Sequence, residues 1–149
     1  MESNCVPEDK SLEIASEEQM MELGKSLAGE LVDRGVTTVY LEGDLGAGKT
    51  TLCRGILRGM GYQGRVRSPT YTLMESYEIP DSYVYHFDLY RMIHAEELEF
   101  IGGRDYFVGG NLCLVEWPER GKGWLPPPEV EICIKVLSTK RQVELKWHQ

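Results

Sequence analysis

Gly43-Asp44-Leu45-Gly46-Ala47-Gly48-Lys49-Thr50 gathers an ammonium, a hydroxyl and a run of unobstructed backbone amides into one short segment. This spacing is that of a phosphate-binding loop. Lacking Cβ atoms, its glycines let successive N–H groups converge on phosphate oxygens and take up the positive φ that such a cradle needs. Lys49 then reaches the β- and γ-phosphates, and the Thr50 hydroxyl can ligate Mg2+. The side chain of Asp44, if aimed inward, would repel a phosphate, so it is expected to point outward or to orient a water.

A triphosphate with Mg2+ also calls for a carboxylate near Thr50, at the end of a strand beside the loop strand. Glu116 closes the apolar run Leu112-Cys113-Leu114-Val115, and Asp88 closes Val84-Tyr85-His86-Phe87. Either acid could instead cap the next helix or pair with Arg91. Ser68-Pro69-Thr70-Tyr71-Thr72 offers hydroxyls that could sense the γ-phosphate, or is an ordinary proline turn leading into a strand. Trp117 reads as a core anchor. His86, inside a strand, and His94, beside a helix start, show no partners and receive no catalytic role.

The elements around these residues must bring them together. Thr37-Thr38-Val39-Tyr40-Leu41 is a β-branched strand leading into the loop, and Thr51-Leu52-Cys53-Arg54-Gly55-Ile56-Leu57 continues from it as a helix whose free N-terminal donors face the anion. Earlier, Ser11-Leu12-Glu13-Ile14-Ala15 alternates like a strand. Ser16-Glu17-Glu18-Gln19 then forms a capping box, and Met20, Leu23, Leu27 and Leu31 give one apolar helix face that ends at Gly35. Later, residues 70–74 and 83–87 predict a hairpin about Ile79-Pro80-Asp81-Ser82, residues 95–101 a short helix, and residues 112–115 a strand buried on both faces. Residues 130–136 and 142–147 pair as a terminal hairpin. The fold expected is a single three-layer α/β domain of the phosphate-loop NTPase kind over residues 1–149, with residues 1–10 flexible. Its central sheet is mixed and mainly parallel with antiparallel hairpins, and its ligand sits at the carboxyl ends of the central strands.

Composition narrows the partners. A net charge of −8 over 149 residues, with a pI near 4.9, argues against tight direct binding of bare nucleic acid. Cys5, Cys53, Cys113 and Cys133 show no metal-ligand spacing and read as reduced thiols. No run is apolar enough to span a bilayer, so the cytoplasm is the expected location and no membrane partner is expected. Ras-like signatures for guanine are missing, which leaves ATP as the default nucleotide. A small-molecule kinase is the rival reading, since Arg54, Arg58, Arg65, Arg67 and Arg104 could clamp a phosphorylated substrate. Against it, no arginine-rich lid is evident and the chain is short for an acceptor pocket.

The phosphate loop with Thr51 is followed in order by Ser68-Pro69-Thr70-Tyr71-Thr72-Leu73, His86-Phe87-Asp88-Leu89-Tyr90-Arg91, Glu96-Glu97-Leu98-Glu99-Phe100 and Val115-Glu116-Trp117-Pro118-Glu119. In these blocks the sequence resembles the bacterial TsaE (YjeE) family over almost its full length. The resemblance implies an Mg2+-dependent ATPase, weak alone, that assists formation of threonylcarbamoyladenosine beside the anticodon of tRNAs. It would act with the TsaB–TsaD heterodimer and permit its repeated turnover, meeting tRNA only through those partners. By the same resemblance Thr50 and Glu116 hold Mg2+, and Asp88 stands near the metal or the attacking water. Lys49, Asp88 and Glu116 are then the catalytic set. ATP lies against Asp44, Leu45, Gly46, Ala47, Gly48, Lys49, Thr50 and Thr51, with Ser16, Arg141 and Val143 near the adenine. Residues 68–72 form a switch-like segment. Gly102-Gly103 departs from the family's usual single glycine followed by a bulkier residue.

Overall fold

Val39, Leu41, Leu112, Leu114, Val130, Ile132, Ile134, Val143 and Leu145 alternate along their strands and share one buried face of a sheet. The computed structural model, which describes residues 9–148, builds that sheet from seven strands. These are β1 (Asp9–Ile14), β2 (Thr38–Glu42), β3 (Met74–Ile79), β4 (Ser82–Asp88), β5 (Leu112–Glu116), β6 (Val130–Val136) and β7 (Arg141–Trp147), in the order β1-β7-β6-β2-β5-β4-β3. The pairings β6/β2, β2/β5 and β5/β4 are parallel, while β1/β7, β7/β6 and β4/β3 are antiparallel. Five strands therefore run in one direction, and the mixed sheet with a parallel centre is the one expected.

Helices α1 (Glu17–Asp33) and α2 (Lys49–Gly59) cover the first face. The second face packs Phe87, Cys113 and Val115 under the short α3 (Glu97–Phe100), the 3-10 turns Gly103–Tyr106 and Pro118–Gly121, and Trp124 and Leu125. Three layers result, the third made of short pieces. Helix α1 starts as its sequence predicts: the Ser16 hydroxyl accepts the Gln19 amide at 3.1 Å, and the Gln19 side chain accepts the Ala15 amide at 2.7 Å. All five residues of β5 are buried, as a central strand requires.

Several boundaries differ from expectation. Asp9 and Lys10 belong to β1, paired with Lys146 and Leu145, and are part of the sheet. Residues 1–8, including Cys5, and residue 149 lie outside the described residues. The strand expected from Thr70 begins only at Met74, because residues 70–73 form a turn in which the Leu73 amide reaches the Pro69 carbonyl at 2.9 Å. The helix expected over residues 95–101 is confined to Glu97–Phe100. It stops where Gly102 turns left-handed at φ 70°, and a Cβ on Gly103 would lie 2.8 Å from the Leu98 carbonyl oxygen. The double glycine is thus what lets the chain fold back toward Tyr106.

Candidate nucleotide site

The loop between β2 and α2 is shaped by two glycines. Gly43 has φ 156° and its Cβ would lie 2.8 Å from the Ile134 carbonyl oxygen, while Gly48, which precedes α2, has φ 118°. A side chain at either would close the loop or strain it. The Leu52 amide takes the Gly48 carbonyl at 2.9 Å as the first rung of α2, so the amides of Lys49, Thr50 and Thr51 have no partner within the helix and point out of its positive end.

Parallel pairing places the acids. Asp88 ends β4 and Glu116 ends β5, and the two are register partners at the carboxyl ends of adjacent strands. Asp88 is held from the loop behind it, where Oδ1 accepts the Tyr90 amide at 3.0 Å and Oδ2 lies 3.4 Å from the Thr70 hydroxyl. Thr70 in turn shares a hydrogen bond of 2.7 Å with Ser68. Burial raises the Asp88 carboxyl above its usual range against the pull of that amide. Arg91 turns elsewhere, with its guanidinium stacked 4.5 Å from the Tyr71 ring centre.

Lys49 is buried at the foot of the site. Its Nζ donates to the Gly43 carbonyl at 2.5 Å and lies 4.1 Å from the Trp117 ring centre. Burial lowers its pKa, against which Glu116, Asp88, Glu119 and Asp44 pull upward. Trp117 takes a left-handed φ of 58° directly after Glu116 and is half-buried beside Tyr90, so it lines the site and is not the simple core anchor expected.

These groups border one cavity of about 580 Å³, a size suited to a small-molecule ligand. Of the residues expected to bind, Ser16, Leu45, Gly46, Gly48, Lys49, Thr50, Thr51, Asp88, Glu116 and Arg141 line it. Three do not. Asp44 is exposed, with its carbonyl accepting the Ala47 amide at 3.0 Å; Ala47 is fully buried; and Val143 is fully buried in the core. The expectation that Val143 shares an adenine wall with Arg141 overlooked that β7 is flanked by β1 and β6, so that Val143, two positions in and paired with Leu12 and Ile134, already lies over helix-covered core. Arg141 itself donates from Nε to the Ala47 carbonyl at 3.0 Å and so ties β7 to the loop.

His86, expected to show no partner, has one. It is fully buried, its Nε2 lies 2.6 Å from Oε2 of Glu116, and the Cys53 thiol of α2 lies close to both. Burial opposes a charge on the imidazole, whereas the hydrogen bond to Glu116 and its nearby charge favour one, and the net direction is upward. The available signal was a polar residue two positions before Asp88 on the same strand face.

The donor chemistry fits Mg2+ in the cavity, where the Thr50 hydroxyl and the Asp88 and Glu116 carboxylates supply only oxygens. Cys53, His86 and Glu116 do not form a second metal site. Two ligands of one ion stand about 3.3 Å apart, and the 2.6 Å between His86 and Glu116 is a hydrogen bond.

Comparison with known proteins places this geometry. A family model described as "Threonylcarbamoyl adenosine biosynthesis protein TsaE" matches residues 14–143. The tRNA threonylcarbamoyladenosine biosynthesis protein TsaE of Haemophilus influenzae is 50% identical over 135 residues, covering 89% of this chain and 85% of that protein. The protein of the same name from Rickettsia felis is 38% identical over 129 residues, covering 86% of this chain and 74% of its own length. The crystal structure of Bacillus subtilis YdiB superposes with a TM-score of 0.76 at 29% identity, over 95% of this chain and 87% of that one. Its phosphate loop, its paired strand-end acids and this likeness along nearly its whole length agree: the chain belongs to the TsaE family.

Proposed function

We propose that the protein is a Mg2+-dependent ATPase of tRNA threonylcarbamoyladenosine synthesis, stimulated by the TsaB–TsaD heterodimer and meeting tRNA through it. The observation that carries this reading is the convergence of the unpaired α2 amides, Lys49, Thr50, Asp88 and Glu116 on one cavity. The names borne by its relatives supply the pathway.

In this reading the α2 amides and the Gly48 turn bind the phosphate tail of ATP. Lys49 leaves the Gly43 carbonyl for the β- and γ-phosphates, whose charge compensates its burial. Thr50 and Glu116 would hold Mg2+, which when bound neutralises charge developing between the β- and γ-phosphates. Asp88, fixed by the Tyr90 amide, orients the attacking water, and Thr70 brings residues 68–72 against the γ-phosphate. Arg141 positions the loop from behind, and its guanidinium borders the space for the base. No arginine other than Arg141, the first residue of β7, lines the cavity among the described residues. An arginine supplied at the transferring phosphoryl is worth about 10³–10⁵-fold in kcat, so the isolated protein is slow and a partner completes it.

The test is phosphate release with and without TsaB–TsaD and tRNA. Expected is slow release alone, a large increase with the heterodimer, and loss of both on Lys49→Ala and on Glu116→Ala. Fast turnover by the isolated chain, unaltered by the heterodimer, would overturn the reading. Transfer of phosphate to a metabolite would point to a kinase instead.

A further inference from the structure

His86 is an unusual occupant of its position. Its neighbours on the same face of the sheet include Val84 on its own strand and Leu114, its register partner on β5, both fully buried, with the half-buried Glu75 opposite it on β3 and Asp88 two positions on. An aliphatic side chain would fill that place without any polar group to satisfy. The imidazole instead reaches diagonally across the strand pair to Glu116, at 2.6 Å, and Cys53 of α2 is the polar group beneath it. Glu116 is therefore tethered from inside the fold.

That tether answers a problem set by the register. Asp88 and Glu116 are direct neighbours on adjacent strands, and like charges so placed repel. Asp88 is held separately, by the Tyr90 amide and the Thr70 hydroxyl, on the loop side. Glu116 has one oxygen, Oε2, committed to His86, while the residue still borders the cavity that Thr50 lines. An ionised carboxylate accepts only, so Nε2 must be the donor.

We propose that His86 is a positioning residue for Glu116: from its buried place between α2 and β5 it holds one carboxylate oxygen and so presents the other to the cation beside Thr50. This rests on the nucleotide-binding reading above. Groups that orient a metal-binding side chain from behind are commonly worth 10–100-fold in metal affinity.

The experiment compares wild type, His86→Leu and His86→Gln. Leucine keeps apolar bulk and removes the donor, whereas the glutamine amide nitrogen reaches about as far as Nε2. Mn2+ is titrated into the full-length protein with ADP present and followed by electron paramagnetic resonance, and ADP binding in EDTA is measured by calorimetry. Expected for His86→Leu is at least tenfold weaker Mn2+ binding with metal-free ADP affinity within twofold of wild type. His86→Gln should recover most of the loss. Unchanged Mn2+ affinity in His86→Leu, or an equal loss in both variants, would overturn the proposal while leaving the nucleotide reading intact. If His86→Leu does not fold, His86→Asn replaces it, since its shorter amide cannot reach Glu116, and the same outcomes decide. Wild-type protein that binds ADP in neither condition would remove the nucleotide reading, and this proposal with it.

Discussion

Asp88 shows what holding a carboxylate ready costs the protein that holds it. Its folded pKa is raised by burial above the ordinary 3.8, so at neutral pH the ionised group makes an unfavourable contribution to stability. In sign, the folded state holds the proton to a higher pH than the unfolded chain does. The penalty is full above the raised folded value, shrinks as pH falls through it, and is gone below 3.8. Asp88→Asn is therefore expected to leave the ligand-free protein at least as stable as wild type at pH 7 in thermal melts while cutting partner-stimulated phosphate release at least tenfold. A clear loss of melting temperature at pH 7 would contradict the burial argument. Residues such as Lys49, Thr50, Asp88 and Glu116 were legible in the sequence because the loop spacing and the strand-end position each carry a physical rule. His86 was not, because its meaning lies in a diagonal contact between β4 and β5 that only the register reveals. Ser16 was legible as a cap, and its hydroxyl is engaged with the Gln19 amide even though the residue borders the cavity.

At the scale of elements, the site depends on how closely α1 and α2 approach. A Cβ on Gly24 would lie 2.5 Å from the Leu52 carbonyl oxygen, and one on Gly55 would lie 3.0 Å from Gly24 Cα while also meeting the Met21 carbonyl oxygen. The helices touch backbone to backbone there, and α2 carries Lys49 and Thr50 at its start. Alanine is the better helix former by about 1 kcal/mol, but overpacking a close contact costs about 1–3 kcal/mol. Gly55→Ala is thus expected to lower Tm by about 2–8 °C and to weaken ADP binding, while Gly29→Ala, on the open side of α1 with nothing within 4 Å, raises Tm. Circular-dichroism melts of the two variants check both signs. The apolar spacing of α1 was readable, with Met20, Leu27 and Leu31 buried as expected. The glycine contact was not, since nothing in a one-dimensional pattern says that Gly24 faces a second glycine. The start of β3 was misplaced for a related reason: Thr70 to Leu73 has strand-forming residue types, but Pro69 anchors them in a turn beside Asp88.

On the scale of the whole molecule, charge and strand order decide what it can touch. The net charge of −8 is unfavourable for tracking phosphates, so the protein alone is expected not to retard tRNA in gel-shift assays at about 0.15 M salt and to do so only with TsaB–TsaD. No described helix is long and apolar enough to cross a membrane. The mixed sheet was foreseeable from strand patterns, whereas its order was not, because β6 and β7 return to the far side of β2 and carry β1 to an edge. Ile14 at the end of β1 and Arg141 at the start of β7 are register partners, and both border the cavity, with Arg141 fastened to the loop at Ala47. A nucleotide lodged there acts as a clasp, joining the outermost strand and its neighbour to the strand-loop-helix unit at the centre. Amide exchange along β1 and β7 should then slow in step with ADP saturation, although most of those amides lie far from the phosphates.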